Sequence, residues 1–272
     1  MAGVTAAATP MYAACDALDR RIEEAGLNNL QTRRQLFYDG WLLLLSPGRA
    51  KRARSVNAHF GSTLPLAAKI ERCERVYQRH RLPLLFRVTP FAQPAALDEA
   101  LDARAYLRFD ETLVQRCELG SLPQRVAPGS DGHDASLAIE PAGVPMYVDA
   151  IGEFRGSPAA QRSAHLERFT QSPLDVRAVV ARAAGAVVGG GIVSIDEDLA
   201  GLFDVFTAPA AQRRGVATAV VASLLTQACA AGARYAYLQV SRDNAAAIAV
   251  YRKFGFVTRY RYHYRAREGD VE

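Results

Sequence analysis

Apolar and polar positions alternate with two different periods along this chain, and those periods mark out its elements. Residues Asp16–Phe37 carry a helical pattern, broken near Gly26-Leu27-Asn28-Asn29. Gly40–Leu45 (GWLLLL) reads as a strand, Ser46-Pro47-Gly48 as a turn, and Lys51–Asn57 as the returning arm of a hairpin. Leu66, Ile70, Cys73 and Tyr77 recur at steps of three and four with charged residues between them, which predicts an amphipathic helix. A strand over Leu82–Thr89, a helix over Pro94–Arg104 and a long strand over Leu107–Leu119 complete the first part.

The second part repeats that order. Helical stretches cover Pro145–Gly152 and Pro158–Thr170, and strands follow at Val176–Ala183, Ala186–Ile195 and Leu202–Thr207. An uncharged helix starts at Gln212, then come a strand at Ala233–Ser241, a helix at Asn244–Lys253 and a strand at Phe256–Arg265. Between the parts, Gly120–Asp134 (GSLPQRVAPGSDGHD) has no apolar period and reads as a linker. The expected domains are therefore 1–120 and 135–272, with 121–134 joining them, and the shared plan suggests an old duplication.

Composition narrows the class. With 272 residues, half of them hydrophobic and 22% charged, the chain is globular and long enough for two cores. Cys15, Cys73, Cys117 and Cys229 lie far apart and fit neither a disulfide framework nor a zinc site, so a reducing, cytoplasmic setting is expected. The histidines show no metal spacing, and no metal is expected. No Lys or Arg precedes Arg20, so the basic start of a signal peptide is missing. The uncharged run Gly215–Ala233 is rich in alanine, glycine and hydroxyl residues and reads as a buried helix, with no membrane partner. The net charge of +5 comes from the first half. That permits an anionic ligand without calling for nucleic acid.

Two stretches carry candidate chemistry. In Gly201–Ala217 (GLFDVFTAPAAQRRGVA) a buried strand runs into a turn at which Gln212-Arg213-Arg214-Gly215-Val216-Ala217 opens a helix. Such a helix start presents free N–H groups and a positive dipole, flanked here by two arginines, which suits a pyrophosphate. It is not a P-loop, and Gly189-Gly190-Gly191 does not complete a dinucleotide fingerprint, because Ser194 stands where a glycine belongs. An ordinary helix start with surface arginines is the alternative. In Leu238–Phe256 (LQVSRDNAAAIAVYRKFGF) a strand leads into a short helix with Asn244, Ala247 and Tyr251. Taken singly, Asn244 is a helix cap and Tyr251 a packing residue.

Together the two stretches resemble the GNAT superfamily of acyl-CoA-dependent N-acetyltransferases. The resemblance rests on Gln212, Gly215 and Ala217, and on Asn244, Ala247, Tyr251 and Phe254-Gly255-Phe256, within Val176–Tyr264. It implies a mixed α/β (α+β) sheet, with acetyl-CoA as co-substrate and its pyrophosphate on the amides of Gln212–Thr218, through Arg213, Arg214, Gly215, Val216 and Ala217. It places the pantetheine arm along Val205, Phe206 and Thr207, with Asn244 bonding that arm and Tyr251 protonating the departing thiolate. A backbone N–H near Phe206 would meet the developing oxyanion. Many members place a glutamate on this strand as base; here Asp204 is the candidate, with Asp196, Glu197 and Asp198 in the preceding turn.

The first half, from Gly40–Asn57 to Cys73-Glu74, is similar to the degenerate amino-terminal domain of bacterial tandem GNAT proteins. Leu44 and Arg54 depart from that pattern. Arg49, Lys51, Arg52 and Arg54 then stand at the entrance for an acidic acceptor, or form a solvated basic hairpin. Tyr260, Tyr262 and Tyr264 alternate with basic residues, which fits period-two burial better than a nucleic-acid face. The reading is an N-acetyltransferase acting directly on a small-molecule or peptide amine, with a homodimer left open. Its rivals are a non-catalytic acyl-CoA binder and a nucleic-acid-associated protein.

Overall fold

The computed structural model describes residues 15–30, 32–121 and 137–271. The first fourteen residues and nearly all of the 121–134 linker lie outside them. α1 (Ala17–Asn28) opens with a capping box in which Asp16 and Asp19 each accept the other's backbone N–H. The helical pattern ends there. Gln35–Phe37 belongs instead to β1 (Gln35–Tyr38), which pairs with β2 (Trp41–Leu44) around Asp39-Gly40. Both turn residues have positive φ, 44° and 81°, as a two-residue hairpin of this hand requires.

The returning arm is shorter than expected. Lys51–Arg54 makes a 3-10 turn, and only β3 (Ser55–Asn57) pairs with β2. α2 (Leu66–His80), β4 (Leu85–Val88), α3 (Leu97–Asp102) and β5 (Leu107–Glu118) follow. The second half adds β6 (Leu137–Ala142), which the apolar pattern did not disclose, then α4 (Val144–Phe154) and α5 (Ala159–Thr170). β7 (Asp175–Ala183), β8 (Ala186–Asp196) and β9 (Leu199–Thr207) form a meander. α6 (Val216–Ala230), β10 (Tyr235–Ser241), α7 (Ala245–Lys253) and β11 (Val257–Ala266) close the chain.

The eleven strands of the described residues form one mixed sheet, ordered β1-β2-β3-β4-β11-β5-β10-β9-β8-β7-β6. β5, from the first half, lies between β10 and β11, while β11, from the second, lies between β4 and β5. Each half therefore inserts its last strand into the other half's sheet. A buried Glu23–Arg87 ion pair ties α1 to β4 at this exchange, and Tyr260 on β11 donates to Glu23 at 2.8 Å. Tyr260, Tyr262 and Tyr264 are all buried, while Arg259, Arg261 and Arg265 are held by Asp19, Glu111 and Asp98. The alternation on β11 thus serves packing and ion pairing.

One core lies under α6, whose Val216, Val220, Val221, Leu224 and Leu225 are buried against the sheet. A second lies on the opposite face, beneath α1, α4 and α5. A third, around Trp41, Tyr77 and Phe86, belongs to the first half. Among the described residues no helix is long and apolar enough to cross a membrane.

Candidate functional site

β9 and β10 run parallel and pair from Leu199↔Tyr235 to Leu202↔Leu238. Just beyond, β9 takes an extra residue. Phe203 opposes Ile192 and Phe206 opposes Gly190, so Asp204 and Val205 together face Gly191. Asp204 accommodates this bulge with a φ of 52°. The bulged end of β9 borders two cavities. One, of about 420 Å³, lies beside α6 and α7; the other, of about 690 Å³, lies beside α4, α5 and the Lys51–Arg54 turn.

The smaller cavity gathers most of the residues singled out in the sequence: Val205, Phe206, Thr207, Gln212, Arg213, Gly215, Val216, Ala217, Thr218, Asn244 and Tyr251. Arg214 belongs to the same turn without lining the cavity. The helix starts later than its pattern suggested, at Val216, with Gly215 at φ 80° as its cap and Arg213 at φ 62°. Gly215 supplies no side-chain cap, so no side chain of its own covers the first amides of α6. Lys253 also reaches this cavity and adds a cation that the sequence reading passed over. Thr207 Oγ1 is buried with no hydrogen-bond partner among the described residues, as expected of a group that meets a ligand.

Asn244 does cap α7, its Oδ1 accepting the Ala247 N–H at 3.1 Å, so the cap bond does not use its Nδ2. Burial pushes the Tyr251 hydroxyl up to about 12, so it stays protonated at neutral pH. Ala208 N–H donates to Val188 O at 2.8 Å. The alternation of an antiparallel ladder then turns the amides of Val205 and Thr207 away from β8, toward the gap, and that of Phe206 toward β8. The glycine run of β8 has its explanation here. A Cβ on Gly189 would lie 2.6 Å from Val216 Cγ1, and one on Gly191 would lie 2.8 Å from Leu224 Cδ1. Gly189 and Gly191 let α6 lie directly on the sheet, while Gly190 makes room for Phe206 and Tyr147 on the other face.

In the larger cavity Asp204 is gripped from three sides. Arg168 Nη2 lies 2.7 Å away, His165 Nε2 3.0 Å and Arg155 Nη2 3.1 Å. The Tyr147 hydroxyl donates to its backbone oxygen. Burial alone would raise the Asp204 pKa. The His165 hydrogen bond and the charges of Arg168 and Arg155 outweigh it and hold the carboxyl well below the usual range. Asp204 stands where the expected base would be, and the His165 ring, 3.0 Å away, is a second candidate proton acceptor. The other acids of that turn are elsewhere: Asp198 pairs with Arg21 and Asp196 accepts from Asn28. Glu153 and Asp149 are exposed on α4 and line neither cavity.

Arg49, Lys51, Arg52 and Arg54 do line the larger cavity. The sequence reading missed His165, Arg168 and Gln239 there, yet one signal was present. Gln161, Ala164, His165 and Arg168 follow the i, i+3, i+4, i+7 spacing of one helix face, and that face is polar. Among the described residues no cysteine lines either cavity; Cys229 is exposed near the end of α6.

A sheet opened at a bulge beside an uncapped helix start is the architecture of a GNAT-type acyltransferase. Residues 146–256 match the Acetyltransferase (GNAT) family. The matched segment is GNAT-like, and the chain as a whole is similar to N-acetyltransferases of that superfamily. It is similar to the uncharacterized N-acetyltransferase YobR of Bacillus subtilis (strain 168), with 26% identity across 90% of this chain and 97% of that one. In fold it is similar to a GCN5-related N-acetyltransferase from Kribbella flavida, with a TM-score of 0.70, 20% identity and coverage of 92% and 95%. It is also similar to a tandem GNAT protein from the clavulanic acid biosynthesis pathway, with a TM-score of 0.59, 19% identity and coverage of 73% and 68%. The fold is thus that of a tandem GNAT protein.

Proposed function

We propose that this chain transfers an acetyl group from acetyl-CoA to a primary amine by direct attack, within a cytoplasmic setting. The observation that carries the reading is that one bulge borders both cavities, with Asp204 lining one and Val205 the other. In this reading the pyrophosphate rests on the amides from Gln212 to Thr218, near Arg213, Arg214 and Lys253. The pantetheine arm runs along Val205–Thr207, beside Asn244 and the unpartnered Thr207 hydroxyl. The second half, 135–272, holds the co-substrate, and the first, 1–120, is a degenerate copy without the turn.

The acceptor enters from the larger cavity. A free alkylammonium has a pKa of about 10 and must lose a proton before it can attack. His165 donates Nε2–H to Asp204, which leaves Nδ1 to take that proton, directly or through water. The amine then attacks the thioester carbonyl, and the Val205 and Thr207 amides stabilise the developing oxyanion. As the carbon–sulfur bond breaks, the nitrogen loses its second proton to solvent and Tyr251 donates its own to the departing sulfur. Cavities without a cysteine favour direct transfer over an acyl-enzyme.

The test is calorimetric titration of acetyl-CoA into the wild type and Gly215→Glu, followed by thiol release with an amine panel. Binding that the variant loses, with release that depends on the amine, supports the reading. Binding without release from any amine would make the chain an acyl-CoA binder. No binding to the folded wild type would refute both.

A further inference from the structure

The larger cavity holds more positive charge than acetyl transfer needs. Seven arginine and lysine side chains line it against two carboxylates, Asp110 and Asp204. Both carboxylates are already engaged. Lys51 Nζ lies 2.8 Å from Asp110 Oδ2, and Asp204 is shared by Arg155, His165 and Arg168. Two guanidiniums keep unused N–H groups. Arg168 is only 8% exposed, and its Nε has no hydrogen-bond partner among the described residues. Arg52 Nη1 is likewise buried without one, while the guanidinium carbon lies 5.2 Å over the Phe203 ring.

These two cations also bear on each other. Burial lowers the Arg168 pKa, Asp204 opposes that effect, and the charge of Arg52 lowers it further. A cationic pair with buried, unpartnered N–H groups suits a hydrogen-bond acceptor of negative charge, and the planar guanidinium fork matches carboxylate and phosphate oxygens. Arg168 touches Asp204 itself at 2.7 Å, so this anion site adjoins the reacting gap.

We propose that Arg52 and Arg168 bind an oxyanion carried by the acceptor, which makes the substrate a compact amine bearing a carboxylate or a phosphate. The inference rests on the acetyltransferase reading above. Arg52 belongs to the 3-10 turn of the first half and Arg168 to α5 of the second. The first half thus recognises the acceptor, although it lacks a cofactor turn of its own. Polyamines and other polycationic acceptors are repelled by the same charges.

The test uses the full-length protein saturated with CoA, so that the smaller cavity is filled. It is titrated calorimetrically with glutarate and, separately, with inorganic phosphate. At least one probe binds, and Arg52→Gln weakens it about tenfold or more, with Arg52→Lys between the two. Glutarate alone, phosphate alone or both then identify the oxyanion. Circular dichroism melting checks that each variant is folded, and Arg168→Gln serves as the second variant. Failure of both probes to bind wild type, or binding that both glutamine variants leave unchanged, overturns the inference. If CoA itself does not bind, the acetyltransferase reading fails, and the same anions titrated into unliganded Gly215→Glu still decide this one.

Discussion

Asp204 and Val205 are consecutive residues of β9 that line different cavities, the first beside His165 and Arg168, the second beside α6. The bulge that separates them also ends the pairing of β9 with β10. One irregularity therefore sets consecutive residues into two different cavities and fixes a carboxylate at the edge of one of them. Acetyl donor and acceptor would approach from opposite faces of the sheet and meet at a single peptide unit.

Asp204 balances two guanidiniums, so its replacement leaves charge behind. Asp204→Asn keeps the shape and strands Arg168 without a counter-ion, which is expected to destabilise the fold by roughly 3 kcal/mol. The pH dependence has a definite sign. A carboxyl whose folded pKa is depressed contributes stability that is present above its unfolded value, about 3.9, and is lost as pH falls toward the folded one. Urea melts between about pH 2 and 5 should show a flatter acid limb in Asp204→Asn than in wild type. An unchanged limb would mean that the cluster does not hold Asp204 as described.

His165 has a separate readout. His165→Gln keeps a donor toward Asp204 Oδ2, at 3.0 Å in the wild type, but removes the proton acceptor. Turnover should fall roughly 10²-fold or more. A residue that merely props Asp204 would lower the melting temperature and leave turnover per folded molecule within a few-fold of wild type.

Much of this was legible in the sequence, and the residues show why. The strands β7–β9 announce themselves by short turns at Ala184-Gly185 and around Glu197, and the α6 turn by Gln212 and Gly215. These are local signals. The exchange of β5 and β11 was not legible, because it is set by pairings such as Tyr235↔Glu118 and Val257↔Arg116, over a hundred residues apart in sequence. The Asp204 cluster was hidden for the same reason: Arg155, just after α4, and His165 and Arg168 on α5 all precede its strand. β1 was missed because Asp39-Gly40, a strong hairpin signal, sits at the end of an apparently helical run.

The glycines of β8 give a mechanical test. Gly189→Ala brings a Cβ to 2.6 Å from Val216 Cγ1 and 2.9 Å from the Phe206 carbonyl oxygen. Val216 is the first residue of α6, so the helix start must shift or the strand must strain. We expect a loss of about 1–3 kcal/mol in stability, together with several-fold weaker acetyl-CoA binding by calorimetry. Unchanged affinity in a destabilised variant would separate the packing of α6 from the geometry of the turn.

Tyr251 decides between an enzyme and a binder. It lies against Phe256, with ring centroids 5.9 Å apart, and is 9% exposed, so Tyr251→Phe should fold with little strain. Without the hydroxyl the departing sulfur loses its donor, and kcat should fall roughly 10²-fold while the KM for acetyl-CoA moves far less. The alkaline side of the wild-type profile adds a second check. An ordinary tyrosine is half ionised near pH 10, but burial pushes this one up to about 12, so its acid form persists through that range. Thiol release should therefore stay on its plateau to about pH 10 in wild type, with no limb assignable to Tyr251. A wild-type rate that the phenylalanine variant matches at every pH would remove Tyr251 from the chemistry and leave the cavity as a binding site.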